Sequence, residues 1–132
     1  MNYADKVKYF YEKIVSGNSL DEIDSFIHTD CKLRMNGKWQ DVGNIKEQFE
    51  ITNNLFPDLS LEVIRQFVDG DTVVTDYIAE ASYTKQEVMK LDALKGKKFR
   101  YTGIYINKLK DGKIIEHTGE IGRPFMVETV GE

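Results

Sequence analysis

A single cysteine, two prolines and two histidines stand among the 132 residues, and each scarcity removes a class of protein. One thiol cannot close an internal disulfide, and the "HTDC" run around it has no zinc-ligand spacing, so Cys31 reads as a small buried hydrophobe. Few prolines with 41% hydrophobic residues exclude a disordered or low-complexity chain. No apolar run approaches the ~20 residues that span a bilayer, and the charged start "MNYADKVKYFYEK" lacks the apolar stretch of a signal peptide. The expectation is a cytoplasmic protein with no membrane partner. A basic stripe is missing too: 18 Lys and Arg are interspersed with 22 Asp and Glu, which argues against nucleic acid. The length suits one domain over residues 1–132.

What is present is organised by periodicity. Asn2 can cap a helix in which Tyr3, Val7, Phe10, Tyr11 and Ile14 recur at helical spacing, with Gly17 in the post-helix position. "SLDE" at residues 19–22 matches a capping box and opens a second short helix with Leu20, Ile23 and Ile27 inward. "CKLRM" alternates as a short strand up to the Asn36-Gly37 turn. A third helix over residues 44–55 places Ile45, Phe49 and Thr52 on one side, with Leu55 or Phe56, before Pro57. Residues 59–68, 72–84, 99–109 and 113–121 then read as strands, with tight hairpins at Asp69-Gly70 and Asp111-Gly112. The connection "KQEVMKLDALKGKK" reads equally as a short helix over a pocket mouth or as a solvated loop. Long strands with helices on one face predict an α+β fold: a cone-shaped, strongly curved antiparallel sheet wrapped around the N-terminal helices.

Three stretches carry a family likeness: "FYEKIVSGNSLDEIDSFIHTDC", "LFPDLSLEVIRQFVDGDTVVTDY" and "FRYTGIYINKLKDGKIIEH". With this order of elements the chain resembles the SnoaL-like polyketide cyclases of the nuclear transport factor two-like superfamily, along nearly its whole length. "FPDL" and "DGKIIEH" are the most specific pieces. The resemblance implies a conical cavity whose side chains work without metal or cofactor on a small apolar or amphipathic molecule. It also implies a homodimer packed through the outer face of the sheet. The superfamily includes isomerases, epoxide hydrolases, cyclases and non-catalytic modules, so the fold does not carry chemistry with it. The family's aspartates after the "EH" pair align here with Gly119 and Gly122, so the cyclase mechanism does not transfer.

His117, which titrates near neutrality, is the candidate acid/base; its bland alternative is a satisfied structural histidine. Strand alternation sets His117, Gly119 and Ile121 on one face and Glu116, Thr118 and Glu120 on the other. Glu120 would join His117 as a catalytic partner through a bulge at Gly119. The 72–84 strand presents Val73, Thr75, Tyr77, Ala79, Ala81 and Tyr83 inward. Tyr77 and Tyr83, with Tyr11 and Tyr101, are candidate donors to a ligand carbonyl, or core residues with locally satisfied hydroxyls. Arg34 either faces solvent or enters the pocket to bind an anionic group. Asp30 sits where isomerase relatives keep an acid, without a motif to fix the match. His28 reads as a cation at the end of the second helix. Asp76, Glu80 and Arg100 read as charged pairs on the outer face. The leading expectation is a cofactor-independent isomerase, cyclase or hydratase acting by proton transfer. Its rival is a non-catalytic ligand-binding or dimerisation module.

Overall fold

Asn2 accepts a hydrogen bond from the Asp5 N–H at 2.8 Å and starts helix α1 (Tyr3–Tyr9) as expected. The structure, a computed structural model, describes residues 2–17, 19–35, 37–40, 45–82, 98–121 and 128–130. The helix continues as a π-helical turn (Phe10–Val15) whose wider spacing is fixed by the Ser16 N–H donating to the Tyr11 carbonyl at 3.1 Å. Phe10, Tyr11, Ile14 and Val15 are all buried on it. Gly17 ends the run without a left-handed φ; glycine is needed because a Cβ would collide with the Lys13 carbonyl oxygen.

The capping box does not form. Ser19 holds φ −97° and ψ 50°, outside the extended cap conformation, and its side chain makes no cap bond. Residues Leu20–Ser25 wind instead as a 3-10 helix, and Ile27 and His28, read above as helical, open strand β1 (Ile27–Met35). Strand β2 (Lys38–Gln40) returns antiparallel after Gly37, whose φ is +84°. Helix α2 (Ile45–Leu55) follows, then β3 (Ser60–Asp69), β4 (Thr72–Ser82), β5 (Lys98–Lys110), β6 (Lys113–Ile121) and β7 (Glu128–Val130). Positive φ at Gly70 and at Asp111-Gly112 confirms the two tight hairpins. The proposed helix or loop at 85–98 lies outside the described residues except for Lys98, which begins β5.

The sheet runs β2-β1-β6-β5-β4-β3, with β7 also paired to β5. It is not wholly antiparallel. β1 lies parallel to β6, because the chain leaves β1 through β2 and α2 and comes back by way of the meander. Between Ile27 and Lys32 the β1 register shifts against β6, so residues 28–31 form an irregular bulge.

Inner and outer faces separate cleanly on β4. Val73, Thr75, Tyr77, Ala79 and Ala81 are buried and alternate with half-buried neighbours. On the outer face Arg100 meets Glu80 at 2.6 Å and Arg65 meets Asp76 at 3.0 Å, bearing out the charged pairs with Arg65 as an added partner.

The helical segment also covers the free edge of β3. Glu12 Oε2 accepts the Val63 N–H at 2.8 Å, and Ser16 Oγ accepts the Leu61 N–H at 2.7 Å while donating to the Tyr11 carbonyl at 2.8 Å. Edge amides that would otherwise face water are thereby tied to the segment that carries Tyr11. Replacing Ser16 with Ala removes the acceptor of a part-buried amide, and we expect unfolding free energy to fall by about 1–3 kcal/mol. An unchanged urea midpoint would show that Ser16 contributes nothing to this clasp.

Candidate active site

On the inner face of β5, Tyr101, Gly103, Tyr105, Asn107 and Leu109 share one strand phase, and Asn107 pairs across with His117 of β6. Tyr11 reaches down from the π turn to meet them. Its hydroxyl lies 2.8 Å from Asn107 Oδ1 and 2.8 Å from His117 Nδ1, while Asn107 Nδ2 is 3.1 Å from the same ring nitrogen. All three residues are almost wholly buried.

One donor ordering satisfies both short contacts. Asn107 Oδ1 can only accept, so the single Tyr11 proton goes there, and the Tyr11 oxygen accepts from His117 Nδ1 in the Nδ1-protonated tautomer, in which the 3.1 Å approach of Asn107 Nδ2 is a contact between two donors and not a hydrogen bond. His117 Nε2 is then the unprotonated nitrogen, and it makes no hydrogen bond to any described residue. Burial pushes the His117 pKa down to about 4, so the ring is neutral at physiological pH.

Aromatic rings hold this cluster. Tyr105 stacks on Tyr11 at 4.1 Å between centroids and on Tyr77 at 4.2 Å, and Phe49 of α2 meets the His117 ring edge-on at 5.6 Å. Burial raises the pKa of Tyr11, Tyr77, Tyr101 and Tyr105, so each hydroxyl stays protonated. The Tyr77 hydroxyl is buried with no hydrogen-bond partner among the described residues; Tyr105 lies close enough to influence its ionisation, but without hydrogen-bond geometry.

A cavity of about 200 Å³ opens beside His117, walled by Leu33, Met35, Phe49, Leu59, Tyr101 and Tyr105 among others. Its described lining has no charged side chain other than the titratable His117. A second hollow, about 240 Å³, lies at the β1 bulge between Asp24, His28, Cys31 and Lys46, and Ile45 borders both. Burial pushes the Cys31 thiol up to about 12, which leaves it protonated and unreactive. No group of three potential metal ligands gathers among the described residues, and no helix there is long and apolar enough to cross a membrane.

The sequence profile of the SnoaL-like polyketide cyclases matches residues 5–123. The chain belongs to that family. No curated protein matches the sequence. Among solved structures, this SnoaL-like chain is similar to IdmH, a putative polyketide cyclase from Streptomyces antibioticus, at 21% identity and TM-score 0.78, covering 96% of each chain. It is also similar to a putative polyketide cyclase from Acidithiobacillus ferrooxidans, at 21% identity and TM-score 0.74, covering 92% of this chain and 89% of that one. An epoxide hydrolase from M. tuberculosis, described as LEH-like, shares 12% identity at TM-score 0.70, covering 89% of this chain and 80% of that one. At these identities the neighbours show the SnoaL-like fold alone.

The structure brings His117, Tyr11, Tyr77 and Tyr101 to the interior, as the sequence reading placed them. Arg34 is not in the cavity. It pairs with Thr118 on the opposite strand phase from Leu33 and His117, and its guanidinium lies over the Trp39 ring at 5.4 Å. The bulge at Gly119 is absent as well. Pairing runs unbroken from Asn107↔His117 to Gly103↔Ile121, and the one β5–β6 register shift falls at Lys108/Leu109. The backbone therefore keeps regular alternation through Glu120, whose side chain is outside the described residues, as is Tyr83. His28 sits in the β1 bulge, where its Nδ1 accepts from the Asp30 N–H at 3.0 Å, and Asp30 is exposed. Asn107, Tyr105 and Phe49 were missed. The signal for Asn107 was there: an asparagine, depleted in strands, in phase with two tyrosines and a leucine.

The site carries its own pH signature. The folded pKa of His117 lies below the ~6.5 of an exposed histidine, so stability is full above about pH 6.5 and is lost as pH falls toward about 4. The loss should be on the order of 3 kcal/mol. Asp58, lowered by hydrogen bonds from Ser82, and Glu80, lowered by Arg100, shift in the same direction and also lose stability as pH falls, but only from the ordinary carboxylate range downward. Urea unfolding across this window should show the loss in the wild type and not in His117→Gln; parallel pH profiles would reject the assignment.

Proposed function

We propose that the protein is a cofactor-independent enzyme of the isomerase, cyclase or hydratase kind, working by proton transfer on a small, mostly apolar, uncharged molecule. The observation that carries this reading is the His117–Tyr11–Asn107 relay: Nδ1 donates to Tyr11, which donates to Asn107, and this leaves the neutral Nε2 available beside an apolar cavity. In this role His117 is the general base, Tyr11 and Asn107 are positioning residues, Tyr101 presents its ring to the ligand, and Tyr105, stacked between Tyr11 and Tyr77, borders the cavity by its edge. Neutral walls favour a ligand without net charge, since an ion would be desolvated there without a partner.

His117→Gln should lower turnover of a true substrate by about 100-fold or more while the fold survives. The acid limb of kcat/KM should fall with an apparent pKa near 4, because the base is active only when unprotonated. A substrate found by native mass spectrometry of the purified protein and turned over equally well by the variant would sink the role of His117. The second reading, a ligand-binding module, draws on the lack of any carboxylate in contact with His117 among the described residues. It expects a retained ligand that is released unchanged.

We further propose a homodimer through the outer sheet face. Phe67, Val74, Ile106, Thr118, Arg34 and Trp39 lie in one register row across six strands, with Phe67 59% and Trp39 53% exposed at its ends. Thr118, in the middle of the row, is already buried, so the surface for a second copy is the exposed Phe67 and Trp39 ends, with the Arg65–Asp76 pair beside Phe67 to fix register. Analytical ultracentrifugation should report a dimer that Phe67→Glu converts to monomer; a wild-type monomer would refute it.

A further inference from the structure

Beside His117 on the same face of β6 stands Gly119, and the space its missing side chain leaves is filled. A Cβ placed there would come within 2.8 Å of Met35 Sδ, 2.9 Å of Met35 Cε and 3.4 Å of Tyr105 Cε1. Met35 is the register partner of Gly119 on β1, as Leu33 is of His117, so the thioether folds over the glycine into the position next to the imidazole. Met35 also walls the cavity, together with His117 and Tyr105. Gly119 has no left-handed φ to explain it, so close approach by Met35 is what the glycine permits here.

We propose that Met35 is the specificity-determining residue of the cavity: its thioether, seated on Gly119, sets how large a molecule can reach His117. This rests on the reading of the cavity as a ligand site. Methionine suits the task because its unbranched chain changes shape at little cost, unlike the stacked rings of Tyr11, Tyr105 and Tyr77. The wall it forms is the adjustable one. Phe49 is held edge-on against Phe10 and His117, and Leu33 is buried under its strand neighbours. The seat is equally specific, since any side chain at residue 119 would displace the sulfur toward the open space beside it, which is the cavity.

The test uses the full chain and three neutral probes that share a hydroxymethyl group: benzyl alcohol, a naphthalenemethanol and an anthracenemethanol, titrated by calorimetry. Met35→Ala should move the preferred probe up by one ring and tighten binding of the larger probe by about tenfold or more. Gly119→Ala should move it the other way, because the new methyl drives the thioether into the cavity. Met35→Leu, close in volume, should keep the wild-type ranking. If Met35→Ala loses its cooperative melt, Met35→Val carries the same expectation with a smaller shift. Probes that bind with one ranking in all variants overturn the role of Met35 and leave the ligand site standing. Failure of every probe to bind the wild type overturns the ligand-site reading first, and this proposal with it.

Discussion

The contact on which the interior depends is the Tyr11 hydroxyl between Asn107 and His117. It joins the N-terminal helical segment to β5 and β6, the two central strands of the sheet. Removing any one member would leave a buried polar atom without its partner, which costs more than a net hydrogen bond contributes. The relay is therefore either complete or expensive. The π turn that delivers Tyr11 is held from its far side, where Ser16 and Glu12 take up amides of the β3 edge. Edge protection, helix placement and histidine orientation are one connected arrangement rather than three separate features.

Much of the fold was legible because it follows from period and punctuation. Alternation on β4 gave the inner face correctly from Val73 to Ala81, and the Asp-Gly pairs marked both hairpins. The second helix was misread because a capping-box sequence specifies hydrogen-bonding potential, while the backbone dihedrals of Ser19 decide whether it is used. The parallel pairing of β1 with β6 is a long-range choice that no local pattern encodes. For the site, the sequence singled out the titratable group and missed the neutral residue that orients it. Asn107 carries no charge and no motif, and its role exists only because β5 and β6 pair in the register that sets it opposite His117. Arg34 was left between solvent and the pocket, and one residue of strand phase decides it, setting Arg34 on the face opposite His117.

The departure from the aspartates that the resemblance implies has a physical counterpart at Gly119. Where the family resemblance led to an aspartate, Gly119 leaves a hollow that a thioether fills, so a carboxylate's place near His117 is taken by polarisable, uncharged sulfur. That thioether adds no charge to the described lining of the cavity. The exchange also removes the group that would otherwise raise the basicity of the imidazole, consistent with a histidine whose pKa is set by desolvation alone.

A base of this kind favours some reactions over others. With its pKa near 4, His117 is fully available at neutral pH but weak, and the imidazolium formed when it takes a proton meets no carboxylate among the described residues. The positive charge must then be balanced by the negative charge left on the substrate, a few ångströms away in a low-dielectric cavity where such a pair attracts strongly. Separating the two charges by releasing the substrate anion would forfeit that attraction. Returning the proton to another atom of the same molecule would not. On the proposed reading, chemistry that lends a proton and gives it back within one bound state suits this site better than chemistry that ends in an ion, which places isomerisation and ring closure ahead of hydrolysis.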